Sequence, residues 1–243
     1  MEMRTINGYR NITNLHNRVG ADIIRPRNLY RSTGTHPANP NLLNSIFSKE
    51  RPMLFLTEAN EKYIDELERF KNEVLICDRD NKDQFAGCMG LRDCSNVKEW
   101  IDICNLRKSA ETCEQAGTPV PSTTYFAIRE SDNKLVGVID LRHHIDHPIL
   151  GTWGGHCGYS VRPSERGKGY AKEMLGLNIQ NAKRMRIQKL LVVCDETNTA
   201  SEKAILANGG VFEKYIETGG CRMKRYWINA DRQTPGLSSP LRP

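Results

Sequence analysis

The residues best suited to chemistry in this chain are Arg166-Gly167-Lys168-Gly169-Tyr170-Ala171. Two cations and two glycines stand just ahead of a segment with Ala171, Met174, Leu175 and Ala182 at helical spacing. A loop feeding a helix in this way leaves the first N–H groups of the helix without acceptors, and the helix dipole adds partial positive charge there. The glycines let the backbone turn tightly and approach a ligand closely. The pattern therefore predicts a pyrophosphate held mainly by main-chain amides, with Arg166 and Lys168 adding charge. Two other phosphate loops are excluded. No GxxxxGK followed by Ser or Thr occurs, and a GxGxxG fingerprint begun at Gly167 meets Lys172 where the third Gly or Ala belongs.

Histidines supply the candidate proton acceptors. His156 lies in Gly155-His156-Cys157-Gly158-Tyr159-Ser160-Val161, which reads as a strand that stops at Arg162-Pro163, because Pro163 cannot donate to a ladder. Alternation would place His156, Gly158 and Ser160 on one face. A side chain with a pKa near ~6.5 suits a general base. His143, at the end of an earlier strand, is the second candidate.

The elements that would position these groups can be read in order. Met53–Thr57 is the first strand, and Asn60–Leu75 a helix carrying Tyr63, Ile64, Leu67, Phe70 and Leu75. Residues 81–90 read as an irregular loop, and Ser95 as the cap of a helix with Val97, Trp100, Ile101, Cys104 and Leu106. Strands follow at Thr123–Arg129, Leu135–Arg142, His156–Val161 and Gln188–Asp195, the last two joined by the helix after the glycine loop. A further helix and the pair Val211–Ile216 and Met223–Ile228 complete an α/β architecture, a mixed sheet of six to seven strands with helices on both faces. The domain is expected at 52–229, behind an Asn-, Arg- and Pro-rich arm at 1–51 and ahead of a Pro- and Ser-rich tail at 230–243 that is expected to be disordered.

Arg166-x-x-Gly169-x-Ala171 resembles the coenzyme A pyrophosphate loop of the GNAT N-acetyltransferase superfamily. Gly158–Pro163 looks like that family's central strand, and Asn198–Lys203 with Asn208–Phe212 like its following helix and Gly-rich exit. The resemblance spans roughly residues 52–229. It implies acetyl-CoA as cosubstrate, no metal, and transfer of the acetyl group to a primary amine of a small molecule or peptide by direct attack in a ternary complex. Strands four and five would splay apart to admit the cofactor. Tyr159, Ser160 and Val161 would pair with the pantetheine arm, one of their amides facing the thioester carbonyl. Arg166, Gly167, Lys168, Gly169, Tyr170 and Ala171 would hold the pyrophosphate, with Asn198 and Ser201 along the arm. Many relatives carry a Tyr that protonates the leaving thiolate, but here Ile205 stands in its place. That leaves Tyr215, Tyr159 or water as the acid. It also leaves an alternative open, a non-catalytic module that senses acyl-CoA.

Composition bounds the remaining readings. No apolar run is long enough to span a membrane, and the N-terminal residues lack an apolar core segment, so cytoplasmic residence without a membrane partner is expected. The eight cysteines form no CxxC pair, and Cys157 and Cys194 read as small core residues. Residues 1–51 hold eight basic and three acidic residues, against 27 and 26 in the other 192. Such an arm could meet nucleic acid or another anion, but no aromatic-interleaved stripe supports nucleic-acid readout. Arg25–Ser32 has a faint likeness to the opening of tyrosine-phosphatase-like proteins, and no Cys-x5-Arg loop accompanies it. A homodimer is a further partner option.

Overall fold

The computed structural model describes residues 53–81 and 84–231. The arm at 1–51, the boundary at Pro52 and most of the expected tail lie outside them. The elements are β1 (Leu54–Glu58), a 3-10 turn (Glu61–Tyr63), α1 (Ile64–Cys77), α2 (Val97–Leu106), β2 (Ser122–Arg129), β3 (Lys134–Arg142), β4 (Tyr159–Val161), α3 (Tyr170–Arg184), β5 (Lys189–Asp195), α4 (Thr199–Ala207), β6 (Val211–Thr218) and β7 (Cys221–Asn229).

Local signals explain most of the boundaries. Asn60 caps the turn before α1 by accepting from the Lys62 N–H. The cap of α2 is Asn96, one residue beyond the expected Ser95, and its side chain accepts from the Lys98 N–H. Leu67, Phe70 and Val74 of α1 and Val97, Trp100, Ile101 and Cys104 of α2 face inward. They pack with Phe126, Ile128, Leu135 and Val138 on one side of β2 and β3. The other side takes α3, whose Tyr170 and Met174 meet Leu54, Ala127, Val136 and Ile139. Both central strands are therefore buried on both faces, which accounts for their nearly unbroken apolar runs. Gly137 allows this approach, since a Cβ there would lie 2.7 Å from the Met174 sulfur.

Helices do cover both faces, and among the described residues seven strands are present, but they form two hydrogen-bonded sheets. One has the order β1-β2-β3-β4 and the other β5-β7-β6, with every pairing antiparallel. No ladder joins β4 to β5. The helix α3 bridges the two sheets, because Leu175, Ile179 and Ala182 continue onto Leu190, Val192, Tyr226 and Ile228 of the second.

Two expected boundaries shift. The fourth strand keeps only Tyr159–Val161. Gly155 takes φ +66°, and the Gly158 N–H donates to the Asp140 carboxylate instead of entering the ladder, so the regular strand ends at Tyr159 although the Arg142 N–H still bonds the His156 carbonyl at 2.7 Å. Before it, a π-helical turn spans Leu150–Gly154. At the other end Ala230, placed in the tail by the sequence, is buried, and its N–H bonds to the Gln188 carbonyl at 2.9 Å.

Candidate functional site

The site begins at the free edge of β4. Tyr159, Ser160 and Val161 lie opposite Ile139, Val138 and Gly137. The Asp140 N–H bonds the Gly158 carbonyl and the Arg162 N–H bonds the Val136 carbonyl. Pairing alternates along an antiparallel strand, so Gly158, Ser160 and Arg162 turn their peptide groups to β3, while Tyr159 and Val161 turn theirs to the open side. That side faces the gap left where β5 diverges.

His156 closes the narrow end of this gap. Its N–H donates to the Leu191 carbonyl, and its Nδ1 accepts the Leu191 N–H, both at 2.8 Å. The histidine ring thus supplies a bond across the seam where the ladder is missing. Burial, aided by the Arg142 charge, pushes its pKa down to about 4, so the ring is neutral near pH 7. With Nδ1 accepting, the proton of the neutral ring resides on Nε2. Neither nitrogen then offers a lone pair to an amine, which runs against the expected role as general base.

At the wide end, a 3-10 turn at Pro163–Glu165 leads into the glycine loop. Gly167 and Gly169 take φ of +76° and +90°, the left-handed region where only glycine is unstrained, and no atom lies within 4 Å of a Cβ built on either. Gly169 starts α3 without a side-chain cap, so the first-turn amides point outward. Buried Glu165 anchors the loop through Arg129, Lys134 and Lys168 at 2.6–2.7 Å. Burial raises its pKa, but the bonds from Lys134, Lys168 and Arg129 outweigh that and hold it at about 2. The Arg166 guanidinium is bound to Asp78 at 2.8 Å and to the Val161 carbonyl at 3.1 Å. The two loop cations expected to face a phosphate are therefore engaged in holding the loop.

Loop and strand edge share one cavity of about 590 Å³. Of the residues the sequence singled out for a cofactor, Tyr159, Ser160, Val161, Arg166, Gly167, Gly169, Tyr170, Ala171, Asn198 and Ser201 line it, and Lys168 does not. Asn198 caps α4 by accepting from the Ser201 N–H, and the Ser201 hydroxyl lies 2.8 Å from that of Tyr159. Tyr159 thereby reaches across from β4 to α4. Burial pushes its pKa upward despite the bond to Ser201, which keeps it a neutral donor. The Ser160 hydroxyl donates to the Ala86 carbonyl, and the Tyr170 hydroxyl accepts from Arg129 inside the core.

The three catalytic candidates are absent from the cavity wall. His156 is the clasp just described. His143 shares a 2.9 Å bond with Thr123, and burial lowers its pKa. Tyr215 is exposed on β6, edge-to-face with Phe212 and under Arg222. Ile205 is fully buried in the core of the second sheet. The wall also holds residues that sequence reasoning passed over: Asp78, Asn81, Phe85 and Ala86 from the segment after α1, and Lys172 and Lys203 from the N-terminal halves of α3 and α4. Contact between two glycines places that first segment, since a Cβ on Gly158 would lie 2.7 Å from the Gly87 nitrogen. Cys157 and Cys194 are buried as expected but also border the cavity, and burial pushes the Cys157 thiol up to about 12.

Residues 97–211 match the family model described as the acetyltransferase (GNAT) domain. Solved structures share the fold. An acetyl transferase from Salmonella typhimurium that modifies the N-terminal serine of 50S ribosomal subunit protein L7/L12 is 16% identical, with a TM-score of 0.52 over 72% of this chain and 94% of that one. RimJ of Mycobacterium smegmatis, in complex with CoA-disulfide, is 17% identical, with a TM-score of 0.52 over 73% and 82%. A ribosomal L7/L12 alpha-N-protein acetyltransferase in complex with coenzyme A is 19% identical, with a TM-score of 0.52 over 73% and 96%. No curated protein matches the chain. Among the described residues, no helix is long and apolar enough to cross a membrane, and no group of three or more His, Cys, Asp or Glu could hold a metal ion.

Proposed function

We propose that this chain, whose residues 97–211 match the acetyltransferase (GNAT) domain model, transfers the acetyl group of acetyl-CoA to a primary amine by direct attack within a ternary complex. One observation carries this reading. The outward peptide groups of Tyr159 and Val161 and the first-turn amides of α3 border a single cavity. Its length runs from the first turn of α3 behind Gly167 and Gly169 to Cys157, the residue that follows His156. The phosphates belong at the first and the thioester toward the second.

In this arrangement Val161 and Tyr159 pair with the pantetheine amides, and one of their N–H groups stabilises the charge that develops on the carbonyl oxygen. A donor so placed is worth about 2.7–4 kcal/mol in comparable sites. Alignment of the amine supplies much of the remaining acceleration. The amine proton leaves to water, since no sequence-expected histidine borders the cavity. The Tyr159 hydroxyl, held at Ser201, is the donor for the departing thiolate, taking over the place left by Ile205. The acceptor is an amine of a small molecule or of a peptide N-terminus, and the protein N-termini modified by the Salmonella relative make peptides the first class to test.

The experiment is release of free thiol from acetyl-CoA across a panel of small amines and N-terminal peptides, alongside calorimetric binding of acetyl-CoA. Turnover with one class supports the proposal, and absence of acetyl-CoA binding overturns it. A second reading, an acyl-CoA-binding module without turnover, is favoured by buried Ile205 and by the engaged Nδ1 of His156. Tight binding with no thiol release from any amine would assign that reading.

A further inference from the structure

Three cations border the cavity: Arg166, Lys172 and Lys203. Arg166 is tied to Asp78, and nearby Lys168 turns away to Glu165 and the Ser164 carbonyl. Lys172 and Lys203 are exposed, and among the described residues neither ammonium enters an ion pair. They stand near the N-termini of two different helices, Lys172 in the first turn of α3 and Lys203 at the start of the second turn of α4.

Those two turns are fixed to each other. Asn208, buried just after α4, donates its single Nδ2 to the Lys172 carbonyl at 2.9 Å and to the Ala204 carbonyl at 2.8 Å. One amide nitrogen thus bonds the backbone of Lys172 and that of the residue next to Lys203. The two lysine stems start from neighbouring, rigidly held points on the rim. Their charged ends remain free to move in solvent.

A pyrophosphate and a phosphomonoester ask for different partners. The bridging pyrophosphate lies close to the backbone and is met by fixed amides at a helix N-terminus. A terminal monoester carries about −1.5 to −2 charges near pH 7 and extends into solvent, beyond the reach of those amides. It calls for mobile, paired cations, and a lysine serves there as a compact point charge.

We propose that Lys172 and Lys203 form a two-lysine clamp for the 3′-phosphate of coenzyme A, so that the site selects the phosphorylated cofactor over its dephospho form. The proposal rests on the reading of the cavity as the acetyl-CoA site. It assigns the loop amides to the pyrophosphate and the rim lysines to the monoester, with Arg166 and Lys168 as anchors of the loop.

The test is calorimetric titration of coenzyme A and of 3′-dephospho-coenzyme A into the full chain, with Lys172→Gln, Lys203→Gln and the double variant alongside. The wild type should bind coenzyme A roughly tenfold more tightly than the dephospho form, the scale of two solvent-exposed charge contacts. That preference should shrink as salt rises. The double variant should bring the two ligands within about twofold by weakening coenzyme A alone, with the dephospho affinity unchanged. Equal wild-type affinities, or a preference that survives in the double variant, overturn the clamp while leaving the cavity reading intact. If neither ligand binds the wild type, the cavity reading fails and the clamp fails with it.

Discussion

The clasp at His156 can be tested without knowing any acceptor. Its Nδ1 takes the Leu191 N–H at 2.8 Å, and the residue is buried. Burial, with the Arg142 charge, lowers the pKa from 6.5 to about 4, and a proton on Nδ1 would in addition set two donors against each other at the Leu191 N–H. The unfolded chain binds this proton near pH ~6.5 while the folded chain refuses it until far lower. Folding stability from this group is therefore complete above pH ~6.5 and is lost as pH falls toward 4, for a total of about 3 kcal/mol. His156→Asn isolates the contribution, because the Asn Oδ1 sits at the same branch position and accepts the same N–H but does not titrate. Urea unfolding at pH 7.5 and at pH 4 measures it. The wild type should lose about 3 kcal/mol more than the Asn variant between the two pH values. The variant should keep most of its stability at pH 7.5 and bind acetyl-CoA within a few-fold. Parallel losses in the two proteins would refute the clasp. A large fall in turnover with the acid limb of stability untouched would return His156 to the role of base.

Other parts of the site give sharper outcomes. Gly169→Glu should abolish acetyl-CoA binding by calorimetry while costing only about 1–2 kcal/mol of stability, since its φ of +90° is strained for any side chain but no protein atom opposes the new Cβ. Glu165→Gln should destabilise by about 3 kcal/mol in urea, because Arg129, Lys134 and Lys168 would lose their common anion, and acetyl-CoA affinity should fall as the loop loosens. Tyr159→Phe should raise the thiol pKa of bound coenzyme A by about one pH unit toward the free value, read by thiolate absorbance, with affinity for acetyl-CoA nearly unchanged. An unaltered thiol titration would leave water as the proton donor.

The parts of this molecule that were legible in its sequence are those fixed by short-range rules. Gly167 and Gly169 are visible because only glycine accepts their backbone angles, and Pro163 because it ends a strand. The strands and helices appear through periodicities of two and 3.6. What the sequence leaves hidden depends on pairs far apart in the chain. Arg166 and Lys168 look like phosphate ligands until Asp78, 88 positions earlier, and buried Glu165 are seen to hold them. Composition shows a positive loop either way, and only the fold reveals which cations are already neutralised. The seam at His156 is hidden from the sequence for a related reason. Alternation assumes a regular strand, and this one is broken where Gly158 bonds the Asp140 side chain and Gly155 turns left-handed. The ring then completes a seam with Leu191, a partner 35 positions away that no local pattern could supply. The same break makes the cavity, because a continuous ladder between β4 and β5 would consume the Tyr159 and Val161 peptide groups. A strand three residues long, pinned at one end by a histidine and released at the other by two glycines, is what leaves that edge free for a ligand.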